Sequence, residues 1–185
     1  MLAPPGAGKG TQGERIAARY QVPHIASGDI FRDEVARHTP LGERLRGYLD
    51  AGDLVPDDVV LSVILDRVLA ASRDDGGFVL DGFPRTLTQA QAAAKIASDT
   101  GASAQAVVYL DAPVDVLVER LTGRAENRAD DAAGVQRHRL EVYAKHTKPL
   151  IDYYADRGIL VRVDAAPPAD EVSGQIFAVL DSIVG

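Results

Sequence analysis

The residues best placed to do chemistry open the chain. Positions 3–11 read Ala-Pro-Pro-Gly-Ala-Gly-Lys-Gly-Thr. This approximates G-x-x-x-x-G-K-[ST], with Ala3 at the first glycine position and Gly10-Thr11 where Ser or Thr would directly follow Lys9. Glycines let successive N–H groups turn inward and cup phosphate oxygens. Lys9 places a point charge on a β/γ-phosphate region. The helix that follows aims its positive end at the same anion. A glycine-rich turn that only caps a helix is the plain alternative. A lysine set among Gly6, Gly8 and Gly10 argues for phosphate.

Three later segments belong with it. Residues 26–32 read Ala-Ser-Gly-Asp-Ile-Phe-Arg. There Ser27 either caps a helix or bonds a ligand. Residues 80–86 read Leu-Asp-Gly-Phe-Pro-Arg-Thr, directly after an apolar strand. Asp81 thus sits at a strand's C-terminal end, where α/β sheets bind ligands. It is either a turn-forming Asp before Gly82 or a carboxylate holding Mg²⁺ through water. The third is the arginine set Arg120, Arg124, Arg128, Arg137 and Arg139. Arg120 and Arg124, at i and i+4, share a helix face. Such arginines either bind an oxyanion or pair with Glu119, Glu126 or Glu141 on a solvated face.

The elements that must position these residues alternate. Short apolar runs at 24–26, 78–81, 106–111 and 160–164 read as strands. Helix-length segments read at 9–20, 29–38, 41–51, 57–73, 88–100, 114–122, 132–157 and 169–184. Strand–helix alternation implies βαβ units around a parallel sheet, expected here as five strands with helices on both faces. Stretch 123–139 is the least hydrophobic and reads as a surface loop. Only Met1, Leu2 and Ala3 precede the glycine loop, which normally hangs from a central strand. The first strand is therefore expected to be two or three residues long, or the start to lie within it, with a cost in stability.

The 185 residues suit one domain. A hydrophobic share of 46% with 25% charged residues is globular composition. A formal net charge of −7 repels polyanions, so general nucleic-acid and anionic-membrane binding are not expected. There is no Cys, which excludes disulfides and cysteine-ligated zinc. The four His residues are scattered, with no H-E-x-x-H pair. No apolar run approaches a membrane span, and no signal peptide is read. A cytoplasmic protein is the expectation.

The motifs P-P-G-A-G-K-G-T-Q, S-G-D-x-x-R, D-G-F-P-R-T and R-x-x-G-R are, as a set, specific to nucleoside-monophosphate kinases. The chain resembles the adenylate kinase family over essentially its whole length. The resemblance implies a P-loop NTPase-like three-layer α/β/α domain over 1–185. It also implies a helical acceptor-binding insertion at 26–55 and a short lid at 123–138. By resemblance, Gly6, Ala7, Gly8, Lys9, Gly10 and Thr11 cradle the phosphoryl donor, and Arg124 and Pro167 flank the ATP adenine. Ser27, Arg32, Asp53, Leu54, Val55, Gly82, Phe83, Pro84, Arg85 and Gln89 look like the AMP site. Thr11 looks like a direct Mg²⁺ contact, with Asp29 and Asp81 acting through water. Lys9 and Arg85, with the lid-associated Arg120, Arg124, Arg128 and Arg139, look like the clamp on the transferring phosphoryl. Arg128 and Arg139 also reach the acceptor.

The implied reaction is reversible transfer of the terminal phosphoryl of Mg-ATP to AMP, giving two ADP. A monomer without zinc is implied, since there is neither Cys nor room for the inserted β-domain of long-lid relatives. Charge stabilisation and positioning dominate such a transfer. One ion pair at 4 Å is worth about 1 kcal/mol in water and about 4 at an effective dielectric of 20, so excluding water matters as much as the charges. The acceptor phosphate is already ionised, so no general base is needed. Gln89 carries both a donor and an acceptor and can pair with an adenine edge. Thr86 and Ser27 favour AMP over the nearest rival, a UMP/CMP kinase. A nucleotide-driven switch would need an N-K-x-D, which is absent. A scaffold that binds nucleotide without turnover is the third reading. The chain departs from the family pattern at Ala3, at Ser27 where Thr is usual, and in its nearly absent first strand.

Overall fold

The structure, a computed structural model, describes residues 1–124 and 133–184. In chain order its elements are α1 Lys9–Tyr20, β1 His24–Ala26, α2 Ser27–Ala36, α3 Pro40–Ala51, α4 Asp57–Asp74, β2 Val79–Asp81 and α5 Leu87–Thr100. Then follow β3 Val107–Asp111, α6 Val114–Arg124, α7 Ala133–Val142, a π-helical turn Tyr143–Thr147, α8 Leu150–Ala155, β4 Leu160–Asp164 and α9 Ala169–Val184.

The strands are parallel, as the alternation requires, but they do not form the expected five-stranded sheet. Among the described residues β1 pairs with β2 and β3 with β4, as two sheets of two. Met1–Ala3 lies between them without becoming a strand. Leu2 donates its N–H to Val108 O at 2.8 Å and accepts from Leu110 N at 3.0 Å. The Met1 amino group donates to Leu80 O at 2.6 Å. So few residues make one bridge, Leu2 to Tyr109, and no ladder.

Both faces of β3 are covered, which is why it reads as an unbroken apolar run. Val108 and Leu110 pack with Ile16 of α1, Leu117 of α6 and Ile176 of α9. Val107 and Tyr109 point the other way, to Ala90 of α5 and to Leu150, Ile151 and Tyr154 of α8. A separate cluster of Phe31, Leu45, Val60 and Ile64, with Ile25 and Phe83, holds α2, α3 and α4 to the end of the β1–β2 sheet. That cluster positions the 26–55 insertion.

Local chemistry sets the helix boundaries. Thr39 caps α3 by accepting from Gly42 N, with Pro40 at the first helical position. Thr86 caps α5 by accepting from Gln89 N. Helix α2 begins at 27 rather than 29, with Ala26 at the N-cap, so Ser27 is not a cap. The long helix expected at 132–157 is broken into α7, the π-helical turn and α8. Pro149 has no N–H to continue the ladder. Residues 133–138 of the expected lid already belong to α7, and 125–132 lie outside the described residues.

Candidate active site

The glycine loop turns with Gly6 and Gly8 at φ +89° and +84°. A Cβ on Gly6 would stand 2.9 Å from Leu117 O, so only glycine suits both the turn and the packing there. Ala3 is buried and is absent from the positive-φ positions, so a methyl at the motif's first glycine is no strain. The loop and the start of α1 form one wall of a cavity of about 240 Å³. Gly6, Ala7, Gly8, Lys9, Gly10 and Thr11 all line it. Asp29 and Arg32 of α2, Asp81 and Gly82 after β2, Pro84, Arg85 and Arg139 of α7 complete it.

This cavity concentrates cations in an acidic protein. Lys9, Arg32, Arg85 and Arg139 face it. Lys9 forms an ion pair with Asp81, and Arg32 one with Asp29. Burial, then the Arg85 and Arg139 guanidiniums, bring the Lys9 ammonium down to about 7 against the pull of Asp29. Burial, then Arg139 and Arg32, bring Arg85 down to about 10, which leaves it charged at neutral pH. Mutual repulsion among cations that line one cleft is what a polyanion site should show. Arg85 is aimed by its own turn: its Nε donates to Gly82 O at 2.8 Å, and its carbonyl accepts from Thr147 Oγ1 at 2.9 Å.

A smaller cavity of about 60 Å³ adjoins the first. Ser27, Asp53, Leu54, Val55, Gln89, Phe31 and Val60 line it. Arg32, Gly82, Arg85 and Arg139 line both cavities, so the guanidiniums stand at their junction. Gly82 must be glycine: its φ is +78°, and a Cβ would meet Ser27 Oγ at 2.5 Å. Helix α7 closes on this corner. His138 Nε2 lies 2.6 Å from Asp53 Oδ1, and the Arg139 stem packs on Gly52.

Not every residue singled out in the sequence reaches the cleft. Phe83 is buried in the α2–α4 core and contributes backbone to the turn rather than a ring to either cavity. Arg120 is turned away from both: it donates to Ala165 O, Ala166 O and Pro167 O at 2.7, 2.9 and 3.3 Å. Pro167 is therefore in a loop held by Arg120, outside both linings. Arg128 lies outside the described residues, as does the Arg124 side chain. Sequence reasoning passed over Asp57, which accepts from Gln89, and Thr147, which holds Arg85. Their partners stand 32 and 62 residues away, so no local motif marks them.

Among the described residues no group of three or more His, Asp or Glu could hold a metal by itself. The larger cavity is nonetheless lined by three residues that carry hard oxygens, Thr11, Asp29 and Asp81. That donor set suits a hydrated Mg²⁺ held mainly by phosphates. No described helix is long and apolar enough to cross a membrane.

A family model described as Adenylate kinase matches residues 1–159. A relative from Thermus thermophilus named Adenylate kinase is 48% identical over 182 residues, covering 97% of this chain and 95% of the relative. Relatives of the same name from Kocuria rhizophila and Methylorubrum populi are 46% and 43% identical. Each alignment covers 98% of this chain, with 97% and 94% of the respective relative.

Proposed function

This chain belongs to the adenylate kinase family, and from that premise we propose how its residues carry out the reversible transfer of a phosphoryl group between ATP and AMP, two ADP being the products. The UMP/CMP alternative is not favoured, since relatives matching nearly the whole chain carry the adenylate kinase name.

Donor phosphates sit in the glycine loop, with Lys9 and the α1 N-terminus supplying positive charge. The acceptor sits in the smaller cavity, its base against Gln89 and its phosphate against Arg85 and Arg32. An acceptor phosphate oxygen attacks the γ-phosphorus as the bond to the β,γ-bridging oxygen breaks, and that oxygen leaves with ADP. Arg85 and Arg139 face both nucleotides and offset the charge that spreads over the equatorial oxygens. The observation that carries this division is that the same guanidiniums line both cavities. Thr11, with Asp29 and Asp81 through water, would hold Mg²⁺, which neutralises donor phosphate charge when bound. Arg120 supports the 165–167 loop beside the ATP adenine rather than gripping phosphate.

Segment 26–55 and lid 123–138, with Arg124 and Arg128, close over acceptor and donor to exclude water. The protein works as a cytoplasmic monomer on free nucleotides, with neither nucleic acid nor membrane as partner. An ADP-formation assay with ATP and an acceptor panel of AMP, CMP, UMP and GMP tests the acceptor assignment. AMP should lead by orders of magnitude, and equal turnover of CMP or UMP would overturn the base reading.

A further inference from the structure

Gln89 lines the smaller cavity while only 2% exposed, and both ends of its amide are engaged by other residues. Its Oε1 accepts the Arg85 backbone N–H at 2.7 Å, and its Nε2 donates to Asp57 Oδ1 at 2.7 Å. Asp57 opens α4, and the Thr86 hydroxyl stands 3.4 Å from its other oxygen. A carboxylate only accepts, and a backbone N–H only donates. Turning the amide over would set Oε1 against the carboxylate and the NH₂ against another donor. The amide is therefore held in one of its two orientations. It has two N–H groups and two lone pairs, of which one each is used. One donor and one acceptor of the amide remain, in an order that its two partners fix.

We propose that Asp57 is a positioning residue that favours a 6-aminopurine acceptor over a 6-oxopurine by holding the Gln89 amide, together with the Arg85 N–H, against turning over. The inference rests on the smaller cavity being the acceptor-base site. Adenine presents the N6 donor beside the N1 acceptor. Hypoxanthine presents the O6 acceptor beside the N1 donor, the reverse order on the same outline. A fixed amide matches one order, whereas an amide free to turn matches both. A buried site whose polar groups meet like partners rejects the wrong base far more strongly than a missing apolar contact would. No cation beside Gln89 is needed for this choice; orientation alone makes it.

The test is steady-state kinetics with AMP and IMP as acceptors and ATP as donor, in wild type, Asp57→Asn, Asp57→Glu and Gln89→Ala. Asn keeps the shape of Asp but can present either a carbonyl or an NH₂, so one of the two locks is released and only the Arg85 N–H then opposes the turning of the Gln89 amide. Asp57→Asn should cut the AMP-over-IMP ratio of kcat/KM by about tenfold or more, in part through improved IMP turnover. Asp57→Glu, still an acceptor only, should recover much of the ratio. Calorimetric binding of AMP and IMP without donor should follow the same pattern, giving a readout independent of turnover. If Asp57→Asn lowers AMP and IMP turnover in equal proportion, Asp57 is merely structural and the proposal is overturned. If Gln89→Ala leaves both the ratio and the KM for AMP unchanged, the base-site reading itself falls, and the proposal with it. A changed ratio in Gln89→Ala with an unchanged one in Asp57→Asn overturns the role of Asp57 alone.

Discussion

The Lys9 ammonium and the Asp81 carboxylate meet directly where the glycine loop faces the end of β2, so each is the other's partner until a nucleotide arrives. His24 lies beneath, its Nε2 3.8 Å from the far Asp81 oxygen and packed against Gly13. Lys9 is thus pre-placed at the phosphate position, while burial and the nearby Arg85 and Arg139 guanidiniums bring its pKa down to about 7.

Nucleotide binding should therefore take up protons. Phosphates favour the ammonium and raise the Lys9 pKa from about 7 toward its ordinary 10.5. Uptake should be larger at pH 8 than at pH 7 and vanish near pH 5.5, because more of the nucleotide-free Lys9 loses its proton as pH rises. Titrating ADP in two buffers of different ionisation enthalpy measures it, and Lys9→Met should abolish it. The same shift has a second sign. The unfolded chain binds the extra proton between about 7 and 10.5, so this group's cost to the empty fold shrinks as pH rises through that window. Lys9→Met should flatten that part of the stability profile.

Arg85 stands among like charges, so its removal should separate stability from function. Arg85→Ala should cost about 2–4 kcal/mol of transition-state stabilisation, or roughly 30- to 1000-fold in kcat/KM for AMP. The thermal midpoint of the empty protein should not fall, because repulsion with Arg139 and Arg32 is relieved. Nearly unchanged kcat/KM would remove Arg85 from the acceptor phosphate.

Arg120 makes its bonds to three carbonyls of one loop, which predicts a donor-side effect. Arg120→Ala should destabilise the protein by about 2 kcal/mol and raise the KM for ATP several-fold more than that for AMP. A fall in kcat with both KM values unchanged would instead place the guanidinium on the transferring phosphoryl.

Gly82→Ala should damage the acceptor site selectively. The left-handed φ of +78° costs an L-residue about 1–2 kcal/mol, and the new methyl would drive Ser27 Oγ out of place. Affinity for AMP should drop at least tenfold in calorimetry, while donor-nucleotide affinity stays within about twofold. Equal losses for both nucleotides would show that the β2–α5 turn serves the cavities as a unit.

Much of this protein is local and so was legible in its chain. The glycine loop, the strand read at 106–111 and found at Val107–Asp111, and the helices read at 41–51 and 88–100 follow from side-chain types within a few residues. Parallel pairing followed from strand–helix alternation, because parallel neighbours need a crossover. The tertiary structure decided the rest, and in each case the deciding partner is distant. The expected five-stranded sheet became two pairs of strands, because Met1–Ala3 bridges the sheets through only a few hydrogen bonds. Ser27 was open between cap and ligand, and the backbone put Ala26 at the cap and Ser27 in the cavity wall. Arg120 and Arg139 sit in one arginine-rich stretch with no difference in type. Packing turned one onto the 165–167 carbonyls and the other into the cleft. Asp57 and Gln89 illustrate the limit most clearly. Each is an ordinary polar residue in the first turn of a helix, and only the docking of α4 against α5 makes one fix the orientation of the other. Hydrogen-bond chemistry is written in residue types, but direction is a property of the assembled fold.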